Sequence, residues 1–297
     1  MKHLQDIISI IVCTYNQEKT ISRTLDAILA QQSPLPFEVI IGEDCSTDGT
    51  RALCRQYAER YPDNVRLMAW PENKGILANY YDCVREARGK YLMECGGDDE
   101  WCPGRIILCL EIMRSHPDVV QVFTDVYFRK DQTGESRPSG MVMLKEGVTA
   151  GREMIDLMFH QKSNQLSSYA MTRTEKVLEV MEEYPQFFSG RAYPCEDKQL
   201  KTLIATKGDV YFTPACTYYY NIDNPSITHN RNQEKKFFYA QNILRLNHDL
   251  AHALHYDTSQ LRQQDRHFLW LMLKRAILAG PSLKLLRIAI SGIHRYL

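Results

Sequence analysis

At 297 residues, with 44% apolar and 24% charged side chains, the chain is long enough to bury a full hydrophobic core and has ordinary globular composition. Lysine plus arginine number 36 and aspartate plus glutamate number 36, so the molecule as a whole carries no field that favours nucleic acid. The nine cysteines include no CxxC pair, fit neither a disulfide framework nor a zinc ribbon, and suit a reducing cytoplasm. The first apolar run, Ile7 to Cys13, is too short for a signal-peptide core or a membrane span.

In chain order, Ile7 to Cys13, Phe37 to Glu43, Val65 to Trp70 and Lys90 to Cys95 are short apolar runs bounded by turn formers and read as buried strands. Between them, Thr20 to Gln32, Thr50 to Tyr61 and Ile76 to Ala87 space their apolar residues as helices. Strand, helix, strand at this spacing predicts right-handed crossovers and a parallel sheet covered on both faces, with ligands beyond the carboxyl ends of the strands. Polar residues concentrate at those ends: Thr14 to Asn16, Asp44 to Asp48, and Gly96 to Glu100. From Val119 the pattern is mixed, with a hairpin around Lys130 to Ser139, a helix near Arg152 to His160, and strands near Ser167 to Met171 and Val210 to Thr213. Beyond Asn230 the chain reads as helical. From Leu261 to Leu297 seven lysines and arginines stand against Asp265 alone, interleaved with leucine and isoleucine, a pattern that suits either packing on the rest of the chain or an anionic membrane surface.

The segment GGDDEW places Asp98 and Asp99 directly after a strand, beside two glycines that admit a close approach to the backbone. Paired carboxylates suit a hard divalent cation that bridges a diphosphate. They equally suit a turn and the acidic start of a helix with Pro103 at its first position. Asp48 reads as a cap for the helix at Thr50. Glu196 and Asp197 suit the acidic first turn of another helix. His248, His252 and His255 are at helical spacing; at about 1.5 Å rise per residue the outer two lie roughly 10 Å apart, so a polar helix face is expected rather than one metal site.

Taken in order, SIIVCTYNQEKTISRTLDAILAQQ, FEVIIGEDCSTDGT and ENKGILANYYDCVREARGKYLMECGGDDEWCPGRI resemble glycosyltransferase family 2 with high specificity, and the likeness extends more loosely to about Asn230. The resemblance implies a GT-A fold: α/β, a mostly parallel central sheet flanked by helices, with a C-terminal helical appendage. It implies a catalytic domain over 1–230, with a nucleotide-binding half over 1–118 and an acceptor-binding half over 119–230, followed by a helical region over 231–297.

The same resemblance assigns donor contacts to Thr14, Tyr15, Asn16, Glu18, Asp44, Lys74, Gly75 and Asp98. Asp98 and Asp99 become ligands of manganese or magnesium, although the family's usual first carboxylate is replaced here by Gly96, as in a branch that also carries an aromatic at the position of Trp101. In PCEDKQL, Asp197 corresponds to the catalytic base, with Glu196 as the neighbour that could exchange roles with it. In TYYYNIDNPSITHNR, Asp223 stands where a histidine ligand is common and could be a further oxygen ligand, with Tyr220, Ser226 and His229 nearby.

Family membership further implies an inverting transfer from a nucleotide sugar, a UDP-sugar above all, to a saccharide or lipid-linked saccharide acceptor. The expected setting is bacterial surface polysaccharide synthesis in the cytoplasm, at the cytoplasmic face of the inner membrane if the C-terminal helices make peripheral contact. Dinucleotide and P-loop enzymes are disfavoured, since CTYNQEK has no glycine and GxxxxGK[ST] is absent. A sugar nucleotidyltransferase and a non-catalytic nucleotide-sugar-binding protein remain as competing classes.

Overall fold

A computed structural model describes residues 3–140, 144–160, 170–189, 193, 197–222, 233–257 and 261, with backbone alone for 160, 233–238 and 240. Glu196, Asp223, Ser226, His229 and the basic tail over 262–297 lie outside the described residues. So does the 167–169 part of the expected strand.

The elements follow in order as β1 (Gln5–Thr14), α1 (Ile21–Leu29), β2 (Phe37–Glu43), α2 (Thr50–Arg60), β3 (Val65–Ala69), α3 (Ile76–Glu86), β4 (Gly89–Gly96), β5 (Glu100–Trp101) and α4 (Arg105–Ser115). They continue with β6 (Val119–Arg129), β7 (Ser136–Pro138), β8 (Gly147–Thr149), α5 (Gly151–His160), β9 (Ala170–Arg173), α6 (Thr174–Glu183), α7 (Asp197–Ile204), β10 (Asp209–Asn221) and α8 (Gln233–Ala253). The chain divides into two compact units, 1–154 with 165–224 and 155–164 with 225–297.

In the first unit the sheet runs β3-β2-β1-β4-β9-β6-β10-β5, with β7 on β6 and β8 on β10. β1, β2, β3 and β4 pair in parallel, in agreement with the expected crossovers. β9 is antiparallel to both β4 and β6, so the sheet is mixed. β6 itself is a strand that the sequence pattern hides: its first eight residues are all buried, which removes the polar alternation of a half-exposed strand.

Alternate residues of the strands feed two layers. Ile8, Ile10, Val12, Val39, Ile41 and Met93 form one core with Ile21, Leu25, Ile28, Cys54, Ile106 and Leu110 from α1, α2 and α4. Each such buried aliphatic side chain contributes about 1.5–3 kcal/mol relative to exposure. On the other face α3 packs on β1 and β2, α6 on β4 and β9, and α7 on α6. There Tyr81 meets Phe188 edge-on, ring centres 4.8 Å apart.

In the second unit Tyr256 donates its hydroxyl to Asp156 at 2.6 Å and its ring lies 4.6 Å from that of Phe159. His248 and His252 belong to α8, whereas His255 lies beyond its end in a left-handed conformation, φ 50°. Among the described residues no helix is long and apolar enough to cross a membrane.

Candidate active site

Because β2 and β4 flank β1 in parallel register, the loops that follow all three emerge side by side. They are joined by hydrogen bonds. The Asn16 side-chain oxygen accepts from the Thr47 N–H at 2.8 Å, and the Asn16 N–H donates to the Ser46 hydroxyl at 3.0 Å. Glu18 accepts from the Gly49 N–H at 2.8 Å, while its own N–H donates to Asp48 at 3.2 Å. Asn16 and Cys45 both adopt positive φ, 54° and 61°, which sets the angle at which the two loops meet. Asn16 and Glu18 thus clasp the first loop to the second, a task legible in neither residue alone. Asp48 caps α2 through the Thr50 N–H at 3.0 Å. Burial opposes its ionisation, but the hydroxyl and N–H of Thr50 and the N–H of Glu18 outweigh it and hold Asp48 below the ordinary carboxylate range.

Asp44 is 3% exposed and points at the turn before α3. One carboxylate oxygen accepts from the Lys74 N–H at 2.7 Å and the other from the Gly75 N–H at 2.9 Å. Gly75 has φ 82° and ψ 159°, a region essentially reserved for glycine. The Lys74 ammonium lies 2.6 Å from Asp82 and 3.4 Å from the centre of the Trp70 ring. Thr14 is buried and donates to Gln17 at 2.8 Å, whereas Tyr15 is 46% exposed at the loop tip, a ring open to stacking.

The acidic loop is held from two sides. The hydroxyls of Thr20 and Thr24 donate to the carbonyls of Gly97 and Asp99, at 2.9 and 2.6 Å. Asp99 is 1% exposed and accepts the backbone N–H of Asn221 at 3.0 Å, while Asp98 is half-buried. Beside them Arg23, Glu100, Arg129 and Asp131 close a ring of ion pairs: Arg23 to Glu100 and Asp131 at 3.3 and 2.8 Å, and Arg129 to the same two acids at 2.7 and 3.1 Å. Pro103 precedes α4 rather than opening it, since Glu100 and Trp101 pair with β10 before the helix begins at Arg105.

No group of three His, Cys, Asp or Glu that could hold a metal occurs among the described residues. Asp98 and Asp99 are adjacent carboxylates at a strand end, a pair of hard oxygen donors whose chemistry fits a small divalent cation.

At the start of α7, Asp197 is ion-paired to Lys201 at 2.9 Å, and the Lys201 side chain is 2% exposed. Burial works against the charge on Asp197, but the Lys201 ammonium prevails and holds it below the ordinary carboxylate range. Burial pushes the carboxyl of Glu94 on β4 up to about 7, opposed by the Tyr80 hydroxyl and the charge of Lys201 and reinforced by the charge of Asp197. Sequence reasoning overlooked Glu94, Lys201, Asn221 and the ring of ion pairs. Of these only Lys201, one helical turn after Asp197, leaves a signal in the sequence.

The model for "Glycosyl transferase family 2" matches residues 9–181, which include both clasped loops and the acidic loop. The chain belongs to glycosyl transferase family 2. An uncharacterized protein of Mycobacterium tuberculosis is 40% identical over 119 residues, 40% of this chain and 34% of that one, so this chain spans about a third of the mycobacterial relatives it matches. EpsE of Bacillus subtilis, which bears the name of a glycosyltransferase, is 29% identical over 225 residues, 73% of this chain and 78% of its own.

Among solved structures, Staphylococcus aureus TarS 1-349 in complex with UDP-GlcNAc superposes with a TM-score of 0.69 at 18% identity, covering 100% of this chain and 80% of that one. The mannosyltransferase PcManGT of Pyrobaculum calidifontis, in complex with GDP-Man and Mn2+, gives a TM-score of 0.52 at 17% identity, covering 97% and 79%. These likenesses establish the GT-A fold for the chain.

Proposed function

We propose that the chain is a metal-dependent, inverting glycosyltransferase that moves a sugar from a nucleotide diphosphate donor, in the first instance a UDP-sugar, onto a hydroxyl of a saccharide or lipid-linked saccharide. The observation that carries this reading is the convergence of the Asp44-bound turn and the Asp98–Asp99 loop at one edge of the sheet. The names of relatives support the surface-polysaccharide setting: TuaG of Bacillus subtilis, named for teichuronic acid biosynthesis, is 32% identical over 113 residues, 38% of this chain. TarS was solved with UDP-GlcNAc and PcManGT with GDP-Man and Mn2+, which supports a nucleotide-sugar donor and a divalent ion.

In this reading Thr14, Tyr15 and the Asp44-bound turn at Lys74 and Gly75 receive the nucleoside, with the exposed Tyr15 ring available to the base. Asn16 and Glu18 serve through the clasp that fixes the spacing of the two loops. Asp98 and Asp99 would hold the cation, whose chemistry is to neutralise charge that develops on the departing diphosphate. Asp197 would take the acceptor proton; ion-pairing to Lys201 keeps it ionised and ready to accept one. Holding donor and acceptor in line supplies much of the remaining advantage.

The domain reading goes with this proposal: 1–230 as the catalytic domain and 231–297 as a helical appendage whose basic, leucine-rich end supports peripheral contact with acidic lipid at the cytoplasmic face of the inner membrane. A thermal-shift screen of UDP-, GDP- and dTDP-sugars with manganese tests the donor assignment. One nucleotide class should raise the melting temperature only when metal is present, and a flat response to every donor would count against it.

A further inference from the structure

The carbonyls of Gly97, Asp98 and Asp99 all accept hydrogen bonds from the start of α1. Thr20 and Thr24 take the first and the last, and between them Arg23 Nη2 donates to the Asp98 carbonyl at 3.3 Å. Positions 20, 23 and 24 share a face at helical spacing, so one rigid element reaches three consecutive backbone groups. The two threonines are buried and short, and the helix backbone sets where their hydroxyls lie. Arg23 differs, because its side chain is long and 36% exposed, and its hold on Asp98 depends on what orders the guanidinium.

Glu100 lies 3.3 Å from that guanidinium, and Asp131 accepts from it at 2.8 Å. Asp131 belongs to the turn between β6 and β7, which the Lys130 N–H closes on the Glu135 carbonyl at 2.9 Å. The Asp131 oxygen that accepts from Arg23 also accepts from the side-chain amide of Asn221, and the other oxygen accepts from Arg129 at 3.1 Å. Asn221 is 3% exposed, and its backbone N–H is the donor to the Asp99 carboxylate. A single carboxylate, from a turn that holds no proposed site residue, therefore reaches Asp98 through Arg23 and Asp99 through Asn221. The two arginines of the ring balance its two acids, so the ring adds connection without adding net charge beside the carboxylate pair.

We propose that Asp131 is a positioning residue for the acidic loop, holding Asp98 through Arg23 and Asp99 through Asn221 so that the loop keeps one geometry before a cation or donor arrives. The proposal rests on the reading of Asp98 and Asp99 as cation ligands. A loop already held in its binding geometry loses little conformational freedom when it binds, so release of the hold should weaken binding even where the fold survives.

The first test is amide hydrogen exchange of the metal-free full chain, read at Gly97 and Asp99, whose N–H groups bond the carbonyls of Cys13 and Gly96. Asp131→Ala and Arg23→Met should each speed exchange there by about tenfold or more, the scale of one charge-assisted hydrogen bond. Arg129→Met breaks two ion pairs of the same ring but leaves the bonds of Arg23 to Asp98 and of Asp131 to Asn221 in place, so its loop should exchange at nearly the wild-type rate. If Asp131→Ala does not fold, Asp131→Asn, which keeps the shape of the side chain and removes its charge, takes its place with the same expectation. Wild-type exchange in the Asp131 variant, or equal acceleration in all three variants, overturns the proposal.

Titration with manganese in the presence of UDP is the second test. Asp131→Ala and Arg23→Met should bind manganese about tenfold more weakly, with Arg129→Met close to wild type. Faster exchange with no loss of manganese affinity, in a chain that binds the ion, also overturns the proposal. Failure of the underlying reading is separate: the wild-type chain would then bind no manganese with UDP, and the exchange rates alone would decide whether Asp131 holds the loop.

Discussion

The backbone N–H of Asn221 donates to the Asp99 carboxylate at 3.0 Å, which ties the acidic loop at the end of β4 to the last residue of β10. The same carboxylate that would ligate a cation therefore also anchors the strand that leads toward Asp223.

Two substitutions separate these roles. Asp99→Ala leaves a buried donor without its acceptor and should cost about 1–3 kcal/mol of stability as well as metal-dependent donor binding. Asp99→Asn can still accept from Asn221, so its melting temperature should stay close to wild type while metal-dependent binding is lost. Calorimetric melting and metal titration of both variants check this; equal loss of stability in the two would remove the anchor.

The Asp44 carboxylate supports a turn that glycine alone adopts without strain. Gly75→Ala should cost about 1–3 kcal/mol through its φ of 82°. Asp44→Ala should cost a similar amount by leaving two backbone donors without their acceptor. Because both changes disturb one turn, their sum should exceed the effect of the double variant, measured by denaturant unfolding.

Gly97 leaves no room for a side chain. A Cβ there would sit 2.7 Å from the Thr14 hydroxyl and 2.9 Å from its Cβ, so Gly97→Ala must push the loops after β1 and β4 apart. On the proposed function, donor affinity should fall by about tenfold or more, since a shift on the order of 1 Å misplaces both loops that would contact the donor. Titration with the donor found by screening measures it, and wild-type affinity would show that the loops need not hold this spacing.

Glu94 also sets a pH dependence of stability. Its carboxyl is raised from 4.5 to about 7, so the unfolded chain releases this proton first and the native state loses stability as pH rises between those values. Asp197 is shifted the other way, and its contribution is complete above the ordinary carboxylate range and lost only in acid. Glu94→Gln should therefore gain on the wild type in melting temperature as pH is raised from 5 to 8. A constant difference across that span would contradict the raised carboxyl.

The first hundred residues were the readable part of the sequence, because each strand there is short, apolar and closed by turn formers. β1 to β4 and α1 to α3 lie within a few residues of their expected bounds. The half after Val119 was harder for physical reasons. Burial of β6 on both faces erased its alternation, and antiparallel insertion of β9 between β4 and β6 depends on pairing across dozens of residues. At the site, the residue types that favour turns, Asn16, Asp44 and Asp48, were visible as polar loops. Which partner each one binds was not. The bond of Glu18 to the Gly49 N–H cannot be read from its place in the sequence, and Glu94 reads as one polar residue in a strand, with nothing in the pattern to signal how burial raises its carboxyl.

The central claim, that the chain transfers a sugar rather than only binding its donor, is tested most directly by release of nucleoside diphosphate from the screened donor, with manganese and an extract of bacterial surface glycans as acceptor. Release should exceed the enzyme-free rate, stop in chelator, and fall by about 10²- to 10⁴-fold in Asp197→Asn while donor affinity is kept. Saturable, metal-dependent donor binding with no release above background would make the chain a nucleotide-sugar-binding protein instead.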